Sequence, residues 1–333
     1  MILAIDIGGT KTLLALYRKK GNNWSLYKEA SYKSIVFNGI EEIINKFLGD
    51  DKQGIEAVSA GVAGTVIDQE CQITNLSWKV SIKAVQEVTG VKRVYLINDL
   101  AATAWAVALA NMQYEEINTS VDKLSSVSGR GRIAILSAGT GLGEAILIQD
   151  IKGMQSANVL ATEGGHGSFA PQNEQQDRLL VFLRKKYKGH VSYERLVSGA
   201  GLHNIYLFLQ SEGVYLADKK ITEKMQSSDS AEIIGLEAIS GNNRLCKEAV
   251  KLFCDIYAAE AGNLALKCLP EGGVVLAGGM PPKILSIVKQ QFMRSFRNKG
   301  RYSTYLASLS VRVCMNEKAV LLGALAYAKL QAK

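Results

Sequence analysis

The 333-residue chain lacks several features that would place it in a specialised class of protein. Its sequence shows no apolar run near the roughly 20 residues of a membrane helix. The start at Met1 has no basic region followed by a long apolar stretch, so we expect no signal peptide and a cytoplasmic location. The few cysteines have no metal or redox spacing, and their odd number favours reduced, buried thiols. They are Cys71, Cys246, Cys254, Cys268 and Cys314.

Aromatic residues are also scarce, at 7% of the chain, although the formal net charge is +8. Basic clusters occur at Arg184-Lys185-Lys186 and between Arg294 and Arg301, far apart in the sequence. Dispersed basic clusters with few aromatic residues are typical of solvated helix faces that attract an anionic substrate. We therefore expect neither a nucleic acid nor a membrane as partner.

The stretch from Ile2 to Leu16 organises the rest of the chain. Two short apolar runs flank Asp6 and the glycine turn Gly8-Gly9-Thr10. Apolar runs of this length, separated by glycines that tolerate a positive φ, predict a strand, a tight turn and a returning strand. The N–H groups of such a turn can point at phosphate oxygens. A hairpin of this kind is also common without any ligand.

The same pattern recurs from Ile133 to Leu147, at an offset of 131 residues. The offset places Ser137 over Asp6, Gly139-Thr140-Gly141 over the first turn, and Leu147 over Leu16. The repeat favours a phosphate-binding role for both turns. It predicts two related α/β lobes that face a shared cleft, without a flexible linker between them.

Asp99 follows a short apolar strand, Val94–Ile97, and precedes an alanine-rich helix predicted from Leu100 to Asn111. Aspartate is a preferred helix N-cap, and capping alone would explain its position. A carboxylate at the carboxyl end of a strand also faces the crevice where open α/β sheets bind ligands. Asn98 beside it could bind a hydroxyl group. The spacing leaves both interpretations of Asp99 open.

Two further polar groups occur in the second half of the chain. Glu163 and His166 flank two glycines on a predicted loop, which is either an ordinary surface loop or a ligand-binding one. With no cysteine nearby they offer at most two metal ligands, so we expect no metal site of the protein's own. Glu194 precedes a helix that we expect to end at Ser198-Gly199, where a first-turn acidic residue is favourable. Ser198 has no evident base in the sequence.

Seven motifs in this order carry a resemblance to a known family. They are Asp6-x-Gly8-Gly9-Thr10, Thr74-Asn75-x-x-Trp78, Ile97-Asn98-Asp99, Gly139-Thr140-Gly141-x-Gly143, Glu163-Gly164-Gly165-His166, Glu194-Arg195-x-x-Ser198-Gly199 and Gly278-Gly279. The set resembles the bacterial ATP-dependent glucokinases and covers nearly the whole chain. The resemblance implies the duplicated ribonuclease-H-like fold of the actin-like ATPases, with two lobes around a central cleft. It implies a small domain of residues 1–106 and 316–333 and a large domain of residues 107–315.

The resemblance also assigns roles to residues. Asp99 would be the catalytic base for the sugar's 6-hydroxyl group, and Asn98 would bind a neighbouring hydroxyl. Hydroxyl groups nearer the anomeric carbon would be bound by Glu163, His166 and Glu194. The phosphates of ATP would lie against Gly8, Gly9, Thr10, Gly139, Thr140 and Gly141, and the adenosine beside Gly278 and Gly279. Asp6 would position Mg²⁺ through water.

The resemblance thus implies an ATP:glucose 6-phosphotransferase that forms a homodimer. Two alternatives stay open. Lys11-Thr12 resembles a wider family of sugar kinases and repressors, so the substrate could be fructose, mannose or N-acetylglucosamine. A sugar-sensing regulator without turnover is disfavoured by the presence of Asp99 and by the lack of a helix-turn-helix segment before Ile2.

Overall fold

The structure is a computed structural model that describes residues 1–21, 23–73, 76–118, 131–149, 157–216 and 218–332. Thr74 and Asn75, which begin the polar loop expected up to Trp78, lie outside the described residues. The chain divides into two compact units. The first unit is Met1–Met112 with Lys318–Lys333, and the second unit is Gln113–Glu317. The domain boundaries at residues 106 and 316 stay a prediction.

The β-strands are numbered in chain order. They are β1 (Ile2–Ile7), β2 (Lys11–Lys20), β3 (Asn23–Lys33), β4 (Ala57–Val62), β5 (Val66–Ile67), β6 (Glu70–Gln72), β7 (Lys79–Ser81), β8 (Val94–Asn98), β9 (Tyr114–Glu116), β10 (Gly131–Ala138), β11 (Leu142–Gln149), β12 (Asn158–Thr162), β13 (Val274–Ala277) and β14 (Val311–Cys314).

The α-helices are numbered in the same way. They are α1 (Ile40–Leu48), α2 (Ile82–Thr89), α3 (Asp99–Leu109), α4 (Glu174–Tyr187), α5 (Gly199–Ser211), α6 (Lys219–Ser227), α7 (Ser230–Ser240), α8 (Arg244–Cys268), α9 (Met280–Lys283), α10 (Leu285–Phe296), α11 (Ser303–Ala307) and α12 (Ala319–Gln331).

The first unit is built on a five-stranded sheet with the order β3-β2-β1-β4-β8. β1 pairs antiparallel with β2 and parallel with β4, which pairs parallel with β8. Successive side chains of a strand point to opposite faces. Leu3, Ile5 and Ile7 of β1 therefore join the core that contains α1 and α2, whereas Ile2 and Ala4 pack against α12. The short strands β5, β6 and β7 form a separate sheet that the sequence did not predict.

The second unit repeats this topology. Its sheet has the order β12-β11-β10-β13-β14-β9, and β10 again pairs antiparallel with the next strand and parallel with β13. The first five strands follow the connectivity of the first unit, and β9 adds an antiparallel edge strand. The buried helix α8 contributes most of its length to the core of this unit. The duplicated fold expected from the two hairpins is confirmed.

The register of the two hairpins differs from the expected offset in one respect. Asp6 pairs with Leu13, whereas Ser137 pairs with Gly143. The second turn is one residue shorter, so the residue that corresponds to Leu16 is Ile146. The prediction that Leu147 lies over Leu16 is wrong, because a constant offset takes no account of turn length.

Two expectations from composition can be compared with the described part of the chain. All five cysteines are buried free thiols, which confirms the expectation from their number and spacing. In the described ranges, no helix combines the length and the apolar character needed to cross a membrane.

Candidate active site

The parallel strands of the first unit bring three chain segments together at one edge of its sheet. Ile7 of β1 is in register with Val62 of β4, and Val62 with Asn98 of β8. Asp6 pairs with Gly61 in the same way. A Cβ atom on Gly61 would lie 3.8 Å from the Cα of Asp99. Because paired residues face the same side of a sheet, Asp6 and the start of α3 lie on one face.

Asp6 and Asp99 are also electrostatic neighbours. Burial raises the pKa of Asp6 to about 7, and the negative charge of Asp99 adds to this effect. The positive charge of Lys11 acts in the opposite direction but is the smallest of the three causes. A raised carboxyl pKa next to a second acid is a frequent property of functional sites. Asp6, a candidate from the first hairpin, and Asp99, a candidate from the end of the predicted strand Val94–Ile97, are therefore neighbours in the first unit.

The cap of α3 is Asn98, not Asp99. The side-chain oxygen of Asn98 accepts the N–H groups of Leu100 at 2.9 Å and Ala101 at 3.2 Å. Its amide nitrogen donates to the carbonyl of Gly64 at 3.1 Å. Asp99 is the first residue of the helix, one position earlier than predicted, and its Oδ1 accepts the N–H of Leu100 at 2.8 Å. Helix capping therefore explains why Asn98 stands at the start of α3, but it does not explain the presence of Asp99.

The first glycine turn is fixed by backbone contacts and by Ser34. The N–H of Gly8 donates to the carbonyl of Lys11 at 3.0 Å, and a Cβ atom on Gly8 would lie only 2.9 Å from that oxygen. Ser34 donates its hydroxyl to the carbonyl of Gly8 at 2.8 Å. The N–H groups of Gly9 and Thr10 have no acceptor among the described residues, so they can contact phosphate oxygens. The contribution of Ser34 was missed, since an isolated serine after a strand carries no signal in the sequence.

The second glycine turn is held by Glu194. The N–H of Gly139 closes the turn on the carbonyl of Gly141 at 2.9 Å. Oε2 of Glu194 accepts the N–H of Leu142 at 3.2 Å and would lie 2.5 Å from a Cβ atom on Gly141. The exposed Thr140 has no acceptor for its N–H within the described ranges. A residue expected at the sugar thus also supports a turn expected at the phosphates.

The loop that carries Glu163 and His166 lies against the same strand. Residues 164–166 form a single 3₁₀ turn, and a Cβ atom on Gly165 would lie 2.0 Å from the carbonyl oxygen of Leu142. Only glycine permits this approach. The side chains of Glu163 and His166 are more than half exposed, with Oε2 and Nε2 3.9 Å apart. The N–H and C=O groups of one residue, Leu142, therefore bring Glu163, His166 and Glu194 to the start of β11.

The helix predicted to end at Ser198-Gly199 in fact begins there. Ser198 is the N-cap of α5 and accepts the N–H of Gly201 at 3.0 Å, and its hydroxyl donates to the carbonyl of Glu194 at 2.7 Å. Glu194 itself lies on a single 3₁₀ turn of residues 193–195. The prediction failed because serine is a good cap at a helix start and glycine is common at a helix end. Both hydrogen bonds of Ser198 are local, as expected for a serine without a base.

The Gly278-Gly279 turn adjoins the second glycine turn. Gly278 has a φ of +87°, and a Cβ atom on it would lie 2.3 Å from the carbonyl of Ala138 at the end of β10. Gly279 has open space at its Cβ position and precedes α9. This close approach of β13 to β10 places the two predicted nucleotide-binding segments of the second unit side by side.

The two units together define a class of protein. Each has a hairpin with a glycine turn, followed by parallel strands, in the duplicated ribonuclease-H-like arrangement of the actin-like ATPases. Comparison with known proteins narrows this class. A sequence profile described as Glucokinase matches residues 3–331, so the chain belongs to the glucokinase family.

Individual relatives agree with this assignment. The Glucokinase of Synechocystis sp. is 37% identical over 347 residues, which cover 97% of this chain and 96% of the relative. The Glucokinase of Psychromonas ingrahamii is 35% identical and covers 97% and 95% of the two chains. The crystal structure of a glucokinase from an Antarctic psychrotroph is 28% identical, with a TM-score of 0.78 and coverage of 98% of both chains. The structure of a Balamuthia mandrillaris glucokinase in complex with glucose, 22% identical, shares the fold with a TM-score of 0.77 and coverage of 98% and 93%.

Proposed function

We propose that this protein is an ATP-dependent glucose kinase that phosphorylates the 6-hydroxyl group with Asp99 as general base. Membership of the glucokinase family supports the reaction. The observation that carries the choice of Asp99 is its position at the end of β8, beside the half-buried Asp6 and after a separate capping residue. We also propose a cytoplasmic homodimer, on the resemblance to the family.

Asp99 acts on the proton of the sugar hydroxyl. Asn98 and the first turn of α3 fix the backbone of Asp99, which limits the positions its carboxylate can take. Phosphoryl transfer depends mainly on alignment and charge stabilisation, and a carboxylate placed at the hydroxyl accepts its proton as transfer proceeds. Since Oδ1 of Asn98 already accepts two N–H groups, Asn98 binds a neighbouring hydroxyl as a donor, through its second amide N–H.

Glu163, His166 and Glu194 bind the sugar hydroxyls nearer the anomeric carbon. The two carboxylates accept hydrogen bonds, and the imidazole can donate or accept. Glu194 is bonded to the N–H of Leu142, and the loop of Glu163 and His166 packs against the carbonyl of the same residue, so all three side chains lie near one point of β11. A site built to pair hydroxyl groups rejects sugars that lack one of them, because its own polar groups are then left unpaired.

The glycine turns suit a nucleotide because their backbone N–H groups can donate hydrogen bonds to its phosphate oxygens. Gly8, Gly9, Thr10, Gly139, Thr140 and Gly141 offer backbone N–H groups, the first and fourth of which also close their own turns. Gly278 and Gly279 lie beside the adenosine. Bound ATP supplies the phosphoryl group, and Mg²⁺ neutralises part of its charge.

The acidic side chains of the proposed site also suit a magnesium ion that binds together with ATP. Within the described residues, no three acidic, histidine or cysteine side chains cluster as a metal site. Mg²⁺ commonly keeps several waters and relies on one or two carboxylates with substrate phosphates. Asp6 would hold the ion through water, and the positive charge would favour the ionised form of Asp6.

A coupled assay of ADP release across glucose, mannose, fructose and N-acetylglucosamine tests the proposal. We expect ADP release with glucose to exceed that with each other sugar in kcat/KM. Equal rates on all four sugars would indicate a broad hexose kinase, and no turnover on any of them would contradict the proposed activity.

A further inference from the structure

Two buried glutamates lie beneath the loops of the second unit that carry Glu163, His166 and Glu194. Glu144 is on β11 and Glu260 on α8, and the two residues are 1% and 2% exposed. The charge of Glu260 acts on the carboxyl group of Glu144, so the two side chains are electrostatic neighbours. Two buried carboxylates that are both ionised repel each other, so a single proton shared by the pair relieves this repulsion.

Glu144 holds the loop of residues 163–166. A Cβ atom on Gly164 would lie 2.2 Å from Oε2 of Glu144, so the carboxyl group packs directly against the loop backbone. The carbonyl of Glu144 accepts the hydroxyl of Thr162 at 2.9 Å, and that hydroxyl accepts the N–H of Gly164 at 3.1 Å. Both the side chain and the backbone of Glu144 thus fix the position of Gly164.

Glu260 holds the turn that carries Glu194. Nδ2 of Asn263 donates to Oε2 of Glu260 at 2.8 Å and to the hydroxyl of Tyr193 at 3.1 Å. Burial raises the pKa of Tyr193, and the charge of Glu260 adds to this effect, so these two side chains are also neighbours. Tyr193 is buried and directly precedes Glu194. Glu144 and Glu260 therefore link the loop of residues 163–166 to the turn of residues 193–195.

The surroundings favour the protonated form of Glu144. Burial is the main cause that raises the pKa of Glu144 to about 8, and the charge of Glu260 adds to it. Lys267 opposes the shift, but its amine is 4.0 Å from Oε1 of Glu260 and mostly exposed. Lys299 donates to Oδ1 of Asn263 at 2.6 Å, and Tyr257 donates its hydroxyl to the carbonyl of Leu136 at 3.0 Å. Oε1 of Glu144 is buried without a hydrogen-bond partner, which is a further cost to an anion there.

We propose that Glu144 is a positioning residue of the sugar site, and that the proton it shares with Glu260 holds the loop of Glu163 and His166 in its binding position. Loss of this proton leaves two buried anions in contact, and their repulsion drives Glu144 against Gly164 and displaces the loop. Sugar binding therefore weakens in alkaline solution, while the chemical step at Asp99 is not directly affected. This inference rests on the proposed sugar-kinase function.

The test compares glucose binding, by isothermal titration calorimetry, and steady-state kinetics from pH 6.5 to pH 9.5. The variants are Glu144→Gln, which carries a permanently neutral side chain, and Glu260→Gln, which removes the repelling charge. For the parent we expect glucose affinity to fall about tenfold between pH 7 and pH 9, since only the protonated fraction binds. The loss should appear in KM rather than in kcat. Both variants should show a nearly flat profile.

Glu248→Gln is the matched control. Glu248 is on the same helix as Glu260 and pairs with Lys251 at 2.9 Å. This variant should follow the parent at every pH. A parent without an alkaline loss, or a Glu144→Gln variant that falls in parallel with it, overturns the proposal. If Glu144→Gln does not fold, Glu260→Gln alone decides in the same way.

A parent that binds no glucose at any pH would contradict the proposed function instead, and the acid pair is then tested by urea denaturation. The folded pKa of Glu144 of about 8 lies above its ordinary value of 4.5, so the unfolded chain releases this proton first as the pH rises. Between these two values the free energy of unfolding of the parent should fall relative to that of Glu144→Gln. If the difference in unfolding free energy between the parent and Glu144→Gln stayed constant across this pH range, the proposal of a shared proton would be overturned.

Discussion

The side-chain nitrogen of Asn98 donates to the carbonyl of Gly64 at 3.1 Å and thereby joins the end of β8 to the turn after β4. The same side chain caps α3 through the N–H groups of Leu100 and Ala101. Asp99, the next residue, is fixed in position by both contacts although it makes neither. The proposed role of Asp99 as a base thus depends on the adjacent residue, Asn98.

Replacement of Asn98 by alanine should lower both stability and activity. Loss of the cap alone costs about 1 kcal/mol of unfolding free energy, and the contact with Gly64 is lost as well. We expect kcat/KM to fall because Asp99 is no longer held. Urea denaturation and steady-state kinetics measure the two effects.

Asn243→Ala is the matched control for this variant, since Asn243 caps α8 by accepting the N–H of Cys246 at 2.8 Å. It should cost a similar amount of stability and leave the kinetics unchanged. Asn98→Ser should restore the cap without the contact to Gly64. Identical kinetics for Asn98→Ala and Asn243→Ala would contradict the positioning of Asp99 by Asn98.

Much of the framework could be predicted from local sequence. Short apolar runs around Gly8 and Gly139 predicted both hairpins, and their repetition predicted the duplicated sheet. The helix Ile40–Leu48 was predicted at its observed bounds. These elements depend on periodicity and on turn chemistry within a few residues, which a single sequence shows directly.

Other features could not be predicted because they depend on distant contacts or on residues with equivalent propensities. Asn98 and Asp99 are equally good caps, so their separate roles emerge only from the register of β8. The bond between Glu194 and Leu142 joins residues far apart in the chain. Glu144 is an acidic residue in a strand, and nothing in its local sequence pattern indicates that it lies beside Glu260.

The bond from Leu142 to Glu194 predicts that Glu194→Ala affects both substrates. Loss of a paired hydroxyl should lower kcat/KM for glucose, by up to ~10⁴-fold where a site is built to bond it. Because the second glycine turn loses its support, KM for ATP should rise as well. Glu212→Ala serves as control, since Glu212 pairs with the partly exposed Arg178 and lies at the opposite end of α5 from Ser198. An effect on glucose with an unchanged KM for ATP would contradict the link between Glu194 and the turn.

The approach of Gly165 to Leu142 predicts a strong effect of a single methyl group. In Gly165→Ala the new Cβ atom would lie 2.0 Å from a backbone oxygen, so the loop of residues 163–166 must move. We expect KM for glucose to rise more than kcat falls, as measured by initial rates over a range of glucose concentrations.

Gly235→Ala is the control for this methyl group, because its Cβ atom would meet only Ile284 at 3.7 Å. Within α7 it should stabilise the fold by up to about 1 kcal/mol and leave both kinetic constants unchanged. If Gly165→Ala behaves in the same way, the loop is not held by Leu142.

The ion pair of Glu271 and Arg132 predicts a pH dependence of stability. The hydrogen bonds from Arg132 lower the pKa of Glu271 from 4.5 to about 2. Because the folded value is the lower one, the stabilisation is complete above pH 4.5 and is lost as the pH falls towards 2. Both side chains are more than one third exposed, so screening limits the effect to about 0.2–1 kcal/mol.

Urea denaturation of Glu271→Gln and the parent measures this effect. The variant should be less stable at pH 7, with a smaller difference at pH 3. Glu87→Gln, which removes an exposed pair with Lys83 at 4.0 Å, should show no comparable change. If the difference in unfolding free energy between Glu271→Gln and the parent were as large at pH 3 as at pH 7, the charge of the carboxylate would not contribute to stability.

The most direct measurement of the proposed mechanism is the turnover number of Asp99→Asn with glucose and ATP. We expect a fall in kcat of ~10²–10⁴-fold, the range typical of a lost general base. Glucose affinity and the urea midpoint should remain close to those of the parent, because Asn98 still caps α3. Near-normal turnover in a folded Asp99→Asn protein would contradict the assignment of Asp99 as the base.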